Sequence, residues 1–543
     1  MKAHNGQHPL LTGLNEAQRE AVLHDAGPLL VFAGAGSGKT RVLTHRIAYL
    51  IAERNVPPHR LYAATFTNKA ANEMRERTER LIGRSCRGMW IGTFHSSCAR
   101  MLRESREAAG VPPSFVIFDD GDQMSVIRQC MRDLNIDEER FAPRALLAAI
   151  SRAKEQLVGP REYAESYSGY FEDVCARVYS AYEEHLRNAG GLDFDDLLMC
   201  TVLMLRNSPD ILETYRTRFL HVLVDEYQDI NRAQFELVEL LASGTRNVCV
   251  VGDDDQSIYA FRGAQVDLIL RFERDYPDAR VIKLEQNYRS TPQILEAAHR
   301  VVSRNMTRKP KKLWTTAKAG SPIEVHETAN EQEEAVFIAH RLQSIIRAGG
   351  DLADTAVLYR TNAQSRAVEE VFTNFRIPYR LVGARPFYER KEVKDIVAYL
   401  RLAHNPRDNV SLKRVINVPA RGIGATTLSV LDRYASDMGL PIWDVLNSRQ
   451  ALAGMATRSA LAVSAFADLI GDIRELALRS TVSQLTRGII ERTGYDRYVD
   501  TRSTSDQRDR MENVRELLTV TERFDEMDDE DRSLARFLEQ VAL

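Results

Sequence analysis

The feature that most constrains the fold of this chain is a short apolar run that leads through a glycine-rich loop into a helix. Leu29–Ala33 has the length and composition of a strand buried on both faces of a sheet. The loop 34–40 reads Gly-Ala-Gly-Ser-Gly-Lys-Thr, and Arg41–Leu50 then shows helical periodicity. Backbone N–H groups of such a loop can wrap phosphates at the positive end of a helix. This order is typical of a Walker A motif, whereas a chance glycine-rich turn needs neither flank.

The loop predicts a nucleotide-phosphate site whose residues are Ala33, Gly34, Ala35, Gly36, Ser37, Gly38, Lys39 and Thr40. Lys39 supplies a charge to the β- and γ-phosphates. A second apolar run, His221–Val224, ends in Asp225 and Glu226. Carboxylates at a strand end are usually solvated, but beside a phosphate loop Asp225 can hold Mg²⁺ together with the Thr40 hydroxyl. Glu226 is placed to polarise a water, so the sequence predicts nucleotide hydrolysis and not only binding.

Further short apolar runs before residue 290 predict a parallel α/β sheet. They are rich in Val, Leu and Ile, and amphipathic segments such as Asn68–Leu81 and Arg232–Leu241 separate them. From about Glu104 to Gly190 the pattern is helical with almost no strand signal, which predicts a helical insertion. The predicted strands are Leu29–Ala33, Leu61–Thr65, His221–Val224, Asn247–Val251 and Val281–Leu284.

A second set of apolar runs predicts another α/β domain. Ile323–His326 and Ala356–Tyr359 are predicted strands on either side of the amphipathic helix Glu331–Ile346. From about Pro386 to Leu543 helical periodicity replaces the strand pattern. We therefore expect a first α/β domain of residues 1–105 and 190–285, a helical insertion at 106–189, a second α/β domain at 286–384, and a second helical insertion at 385–543.

Composition and the N-terminal sequence say more about the cellular compartment of the chain than about its activity. The six cysteines form no C-x-x-C pair and have no histidine at zinc spacing, so we expect reduced thiols and no metal cluster. The N-terminus lacks the apolar core of a signal peptide, and no stretch is long enough to span a membrane, which favours a cytoplasmic protein. The net charge of −3 gives no indication of a polyanionic partner.

Several segments jointly resemble the motifs of superfamily 1 DNA helicases of the UvrD/PcrA/Rep type, in the order of that family. Asp225–Asn231 (DEYQDIN) resembles its DEFQDxN motif, Gly252–Ala264 its third motif and Gln286–Ser290 (QNYRS) its fourth. The other matches are the Q-motif-like Leu14–Gln18 and three segments similar to motifs that touch single-stranded DNA, Thr65–Ala71, Gly92–Ser96 and Ala356–Ala363. The resemblance implies two RecA-like P-loop motor domains of an α/β fold, each with a mainly helical insertion.

For the nucleotide, the resemblance implies ATP and Mg²⁺ as cofactors. Gln18 and Tyr288 would hold the adenine, with Arg41 packed near it. Gln256 would sense the γ-phosphate, and Arg289 would reach it from the second motor domain. An arginine can neutralise charge on the transferring phosphoryl group, and a glutamine can orient the attacking water. Closing and opening of a cleft between two such domains would produce movement.

For DNA, the resemblance implies stacking by four aromatic side chains, Phe66, Tyr259, Phe261 and Tyr359. Flat rings stack on bases without reading sequence, although an isolated aromatic residue more often belongs to a core. The family usually carries tryptophan where this chain has Phe261, so the grip on DNA is expected to differ there. Contacts to the DNA backbone or to neighbouring bases are expected from Asn68, His95, Arg360 and Asn362.

Two segments outside those motifs are candidates for further DNA contact. The segment 418–427 resembles the hairpin of a helix–hairpin–helix element, in which Gly422 and Gly424 expose amides to a phosphate of the duplex. The segment Arg304–Lys318 holds six basic residues and no acid. It is either a solvated charge run or a patch that follows a DNA backbone.

The last two motifs of the helicase family have no match in this chain. The second motor domain is therefore expected to be incomplete at its C-terminal end and to lack a second arginine for the γ-phosphate. The main hypothesis is an ATP-dependent helicase that moves 3′→5′ on single-stranded DNA and unwinds junctions with duplex. It would act in repair or replication, as a monomer or dimer, in a nucleoid-associated cytoplasmic location. The alternatives are the motor subunit of a helicase–nuclease, and a DNA- and ATP-binding module without efficient turnover.

Overall fold

The computed structural model describes residues 9–361, 364–382, 387–500, 506–527 and 531–542. These residues form two compact units. The first unit runs up to Lys318 and continues from Arg390 onward, and the second is Ala319–Glu389. No helix in the described ranges combines the length and the apolar composition that crossing a membrane requires.

The first unit is organised around a parallel sheet. The strands among the described residues are β1 Leu29–Ala33, β2 Leu61–Thr65, β3 Trp90–Thr93, β4 Val116–Ile117, β5 Gly191–Leu192, β6 His221–Val224, β7 Val248–Gly252 and β8 Arg280–Leu284. Six of them form the sheet in the order β3-β2-β6-β7-β1-β8, and β4 pairs with β5. All neighbours are parallel, so the carboxyl ends of the six strands share one edge. That edge is where open α/β sheets bind ligands.

All five strands predicted for this sheet are present. β1, β2 and β6 have the predicted bounds, while β7 and β8 begin one residue away from them. The sequence does not predict β3, because its four residues include Gly92 and give too short an apolar run.

The sheet is buried on both faces, as its inner strand β1 shows. Leu30 and Phe32 belong to one core, whereas Leu29 and Val31 belong to the core on the opposite face. No residue of β1 is more than 1% exposed. Helices of this α/β region are Glu16–Leu23, Lys39–Ala52, Asn68–Ile82, Phe94–Glu104, Arg106–Ala109, Phe194–Asn207, Pro209–Arg218, Arg232–Ala242, Asp267–Leu270, Phe272–Asp275 and Pro292–Val302.

Two helical regions accompany the sheet within the first unit. The first lies between β4 and β5, has its own buried core, and consists of the helices Asp120–Asp133, Pro143–Glu155, Pro160–Ser166 and Tyr170–Ala189. The second comprises Lys391–His404, Asn409–Val415, Ala425–Met438, Ile442–Leu446, Arg449–Ala453, Thr457–Ala477, Val482–Thr493, Tyr495–Asp500, Asp506–Glu526 and Leu534–Ala542. The amide of Asn405 joins the two regions by donating to the carbonyl of Ala189 at 2.9 Å.

The second unit corrects part of the sequence analysis. Its helices Glu331–Arg347 and Ser365–Asn374 pack around a small core, and the first of them matches the predicted helix. The two predicted strands, Ile323–His326 and Ala356–Tyr359, are wrong, because neither segment forms a strand. A strand needs hydrogen-bonded neighbours, and the described residues of this unit provide none.

Candidate nucleotide site and nucleic-acid surface

The phosphate loop leaves the carboxyl end of β1 and turns directly into a helix. Gly36 and Gly38 have φ values of +68° and +90°, in the left-handed region that favours glycine. The backbone N–H and the hydroxyl of Ser37 both donate to the carbonyl of Gly34, at 3.2 and 2.6 Å. Gly38 caps the helix Lys39–Ala52 without a side-chain acceptor, so the first N–H groups of that helix can bind phosphate oxygens.

The side chains expected around the adenine lie beside this loop. Gln18 is fully buried, and its Nε2 donates to the carbonyl of Ser37 at 2.9 Å. A capping box with Asn15 holds Gln18, since the backbone N–H of each residue donates to the side chain of the other. The Arg41 guanidinium packs against Gly13, where a Cβ would lie 2.9 Å from its Nη2.

The two acidic residues follow β6 and face the loop. Lys39 Nζ forms an ion pair with Glu226 Oε2 at 2.7 Å, which joins the ends of β1 and β6. Glu226 has a φ of +50°, uncommon for a residue other than glycine, and its N–H donates to Asp225 Oδ1 at 3.0 Å.

Asp225 is a buried carboxyl at the end of β6. Burial of its carboxyl, together with the charge of Glu226, raises the pKa of Asp225 to about 7. A bound divalent cation would favour the ionised carboxylate, and Thr40 offers a hydroxyl in the first turn of the adjoining helix. These hard oxygen donors fit Mg²⁺. The other acidic cluster, Asp253–Asp255, already pairs with cations of the protein: Lys311 Nζ lies 2.6 Å from Asp253 and 2.8 Å from Asp255, and Arg308 pairs with Asp255.

Gln256 is connected to the acidic pair through two polar side chains. Gln256 Nε2 donates to Asp253 Oδ2 at 2.5 Å, and the N–H of Asp253 donates to Gln228 Oε1 at 3.0 Å. Gln228 Nε2 then donates to Glu226 Oε2 at 2.9 Å. Gln228 belongs to the DEYQDIN segment, but its bridging contacts were not predicted, because a glutamine among polar residues after a strand does not indicate its partners.

The segment Gln286–Ser290 lies directly against the phosphate loop. The backbone N–H of Tyr288 donates to the carbonyl of Gly36 at 3.0 Å, and its hydroxyl accepts from Asn15 Nδ2 at 3.0 Å. Asn287 Nδ2 donates to the carbonyl of Ala35 at 2.5 Å, a contact that was not predicted. A Cβ on Gly36 would lie 2.7 Å from the Cβ of Arg289. All predicted nucleotide residues therefore gather at one edge of the sheet.

Three of the four predicted stacking residues form a row of rings at the same edge. Phe66 follows β2 and stacks on Tyr259, with ring centroids 4.8 Å apart and an interplanar angle of 29°. Tyr259 and Phe261, on the loop after β7, have centroids 6.0 Å apart. Phe261 is 77% exposed and Phe66 is 37% exposed. This ring row, Phe66–Tyr259–Phe261, therefore presents aromatic surface instead of belonging to a core.

His95 and Asn68 occupy helix starts near those strand ends. His95 is in the first turn of Phe94–Glu104, with its ring edge-on to Phe194 at 5.9 Å, and burial lowers its pKa to about 4. It is therefore neutral at physiological pH and can donate or accept a hydrogen bond. Asn68 is the first residue of Asn68–Ile82, whose cap is the hydroxyl of Thr67.

The remaining predicted DNA residues belong to other segments of the chain. Tyr359 and Arg360 are in the second unit, where the N–H of Arg360 donates to Gln364 Oε1 at 2.9 Å. Asn362 lies outside the described residues. Gly422, with a φ of +77°, and Gly424, the cap of Ala425–Met438, have open space where a side chain would be.

The basic segment Arg304–Lys318 matches neither expectation fully, because several of its charges form ion pairs. Arg308 makes two hydrogen bonds to the Asp255 carboxylate, at 2.9 and 2.7 Å, and Lys311 contacts the three carboxylates of Asp253–Asp255. Lys309 pairs with Glu273. Ion pairs therefore join the segment to Gly252–Ala264, and not all six of its charges are available to a DNA backbone.

Comparison with known sequences agrees with this geometry. The sequence model of the UvrD/REP helicase N-terminal domain matches residues 14–277, and that of the UvrD-like helicase C-terminal domain matches residues 282–543. The ATP-dependent DNA helicase PcrA of Bacillus subtilis (strain 168) is 45% identical over 535 residues, which are 98% of this chain and 72% of that relative. PcrA of Staphylococcus aureus (strain Mu50 / ATCC 700699) is 43% identical, over 98% of this chain and 73% of its own length.

Proposed function

Since the chain belongs to the UvrD/Rep helicase family, we propose that it is an ATP-dependent DNA helicase that moves 3′→5′ along single-stranded DNA and unwinds duplex. The main support for the proposal is that a single loop contains both a predicted γ-phosphate contact and predicted DNA-stacking rings. The segment Gly252–Ala264 contains Gln256, which is hydrogen-bonded towards Glu226, and two rings of the ring row. A change at the γ-phosphate can therefore reach the DNA surface along this loop, in which Gln256 and Tyr259 are three positions apart.

The nucleotide chemistry uses residues that already lie together. Lys39 and the N–H groups of the phosphate loop bind the phosphates, and Gln18 and Tyr288 position the adenine beside Arg41. Thr40 and Asp225 would hold Mg²⁺, which neutralises charge between the phosphates. Glu226 accepts a proton from the attacking water, while Gln256 and Arg289 act on the γ-phosphate. The Lys39–Glu226 ion pair must open for Glu226 to do this.

The DNA chemistry uses stacking and backbone contacts. Phe66, Tyr259 and Phe261 supply flat surfaces for successive bases, which explains why a net charge of −3 is compatible with a DNA substrate. We propose the same role for Tyr359, with polar contacts from Asn68, His95, Arg360 and Asn362. Gly422 and Gly424 would bind a phosphate of the duplex.

We also propose the domain division expected from the sequence: motor domains at 1–105 with 190–285 and at 286–384, and insertions at 106–189 and 385–543. The matched relatives come from bacteria, and an enzyme of bacterial chromosomal DNA would work in the cytoplasm at the nucleoid, in repair or replication.

The test is ATPase activity with and without single-stranded DNA, beside strand displacement on duplexes with a 3′ or a 5′ tail. We expect stimulation by DNA that disappears in Glu226→Gln, and displacement only with the 3′ tail. Displacement from the 5′ tail would refute the polarity. DNA and ATP binding without stimulated turnover would instead establish a binding module.

A further inference from the structure

The helical region between β4 and β5 contacts the turn that carries Phe261, and it does so through the last residue of one helix. Glu155 ends Pro143–Glu155 and is 9% exposed. Its carboxyl lies on Gly263, which closes the turn Ala260–Arg262: a Cβ on Gly263 would lie 2.0 Å from Oε2 and 2.5 Å from Oε1 of Glu155. Gly263 has a φ of +74°, which favours glycine, and a side chain at this position would displace the Glu155 carboxyl.

Glu155 also contacts the loop that follows the acidic pair. Its carboxylate accepts a hydrogen bond from the side chain of Asn231, whose Oδ1 in turn accepts from the N–H of Gln234 at 3.0 Å. The N–H of Gln265 donates to the carbonyl of Ile230 at 3.0 Å, so the turn of Gly263 and this loop are adjacent. One carboxyl therefore sits where the insertion, the loop after β6 and the turn of the ring row meet.

The neighbouring residue holds this helix end in place. Lys154 is fully buried, and its Nζ forms ion pairs with Asp193, Asp196 and Glu183 at 2.8, 2.6 and 2.6 Å. Asp193 and Asp196 form the capping box of Phe194–Asn207 in the α/β region. Because breaking a buried charge pair is costly, the end of the helix that carries Glu155 is a rigid support.

We propose that Glu155 is a positioning residue for the nucleic-acid surface: its carboxyl holds the turn at Gly263, and with it Tyr259 and Phe261, in the arrangement that stacks on bases. This inference rests on the proposed role of the ring row in binding DNA. In this proposal Glu155 acts through Gly263 and not through a contact of its own with nucleotide or DNA.

Burial of the Glu155 carboxyl makes this support dependent on pH. Burial raises the pKa of Glu155 to about 7, against the Asn231 hydrogen bond and the charge of Arg152. Asp195, hydrogen-bonded to Ser151 at 2.6 Å, also has its pKa raised to about 7, by burial and the charge of Asp193. As the pH rises through 7, the Glu155 carboxyl ionises in a position where burial disfavours its charge, so the contact weakens and single-stranded DNA should bind less tightly.

The test measures single-stranded DNA affinity and the ATPase kcat and KM for DNA in the full chain between pH 6 and 8. In Glu155→Ala and Gly263→Ala we expect the Kd and the KM for DNA to rise about 3- to 10-fold, since base stacking is weakened and not removed, with kcat changed less than about twofold. Glu155→Gln should keep the wild-type affinity of pH 6 across the whole range. Glu165→Gln, on an exposed residue, and Gly83→Ala, at a φ of +69° with open space, are the matched controls.

The inference is overturned if Glu155→Ala and Gly263→Ala bind DNA like their controls, or if Glu155→Gln keeps the pH profile of the wild type. If Glu155→Ala fails to fold, the Glu155→Gln profile still decides. Phe261→Ala distinguishes the role of the ring row from the role of Glu155. Normal DNA affinity in Phe261→Ala refutes the role of the ring row. Reduced affinity in Phe261→Ala, with no effect of Glu155→Ala, refutes only the role of Glu155.

Discussion

The sheet region of the first unit and the second unit contain apolar runs of the same kind, yet only those of the first unit form strands. In β1, Leu30 is not exposed at all, and the strand is paired with β7 and β8. In the second unit, Leu358 is 93% exposed and Val325 is 92% exposed. An apolar run thus specifies a strand only where neighbouring strands pair with it and helices cover its faces.

The candidate binding residues of the two regions differ in the same way: some follow buried strands and others lie in segments that form no strand. Lys39, Asp225, Gln256 and Phe66 follow buried strands, so the sheet fixes their spacing. Tyr359 belongs to a segment of the second unit without regular structure. The first region should therefore bind as a preformed site, and substitutions in it should have the larger effects.

The largest effect is expected at the phosphate loop. Lys39→Ala removes the charge that we propose binds the β- and γ-phosphates, and we expect the DNA-stimulated ATPase rate to fall by about 1000-fold or more, as for other phosphate-clamping cations. Arg366→Ala, an exposed cation of the second unit, is the control and should leave the rate within about twofold. A Lys39→Ala rate above about a tenth of the wild type would show that the loop is not catalytic.

A matched pair of leucines tests the comparison itself. Leu30→Ala leaves a cavity in a closed core and should lower the free energy of unfolding of the first unit by about 2–5 kcal/mol. Leu358→Ala removes an exposed side chain and should change stability by less than about 0.5 kcal/mol. Denaturant unfolding followed by circular dichroism measures both. A cost at Leu358 as large as at Leu30 would mean that the second unit buries this residue in solution.

Next in size is the ring row. Phe261→Ala removes the most exposed ring, and we expect single-stranded DNA to bind about 5- to 100-fold more weakly, as for other stacking positions. Phe261→Trp places a larger face at the same exposed position and should tighten binding. Fluorescence anisotropy with a labelled oligonucleotide gives the Kd of each variant for single-stranded DNA. Weaker binding by the tryptophan variant would argue that Phe261 acts by shape and not by stacking area.

The sequence predicts the positions of the phosphate loop and of the acidic pair well, because both depend on the order of neighbouring elements along the chain. A strand, a glycine loop and a helix determine where Lys39 lies, and a strand end determines where Asp225 lies. Contacts between distant segments could not be predicted in this way. Asn287 on Ala35, Gln228 between Glu226 and Asp253, and Glu155 on Gly263 depend on how segments fold together, and no local pattern distinguishes these polar residues from solvated ones.

The smallest expected effect concerns a buried histidine at the start of β6. Burial, reinforced by the charge of Arg46, lowers the pKa of His221 to about 4, so the folded protein keeps it neutral while the unfolded chain binds a proton below pH 6.5. The stability of the first unit should therefore fall as the pH drops from about 6.5 towards 4, by on the order of 1–3 kcal/mol from this residue. His221→Gln should remove that part of the slope, while His326→Gln, on a half-exposed residue of the second unit, should leave it unchanged. If stability depends on pH equally in the wild type and in His221→Gln, His221 is solvated. The amino end of β6 then opens more readily than the burial of the strand indicates.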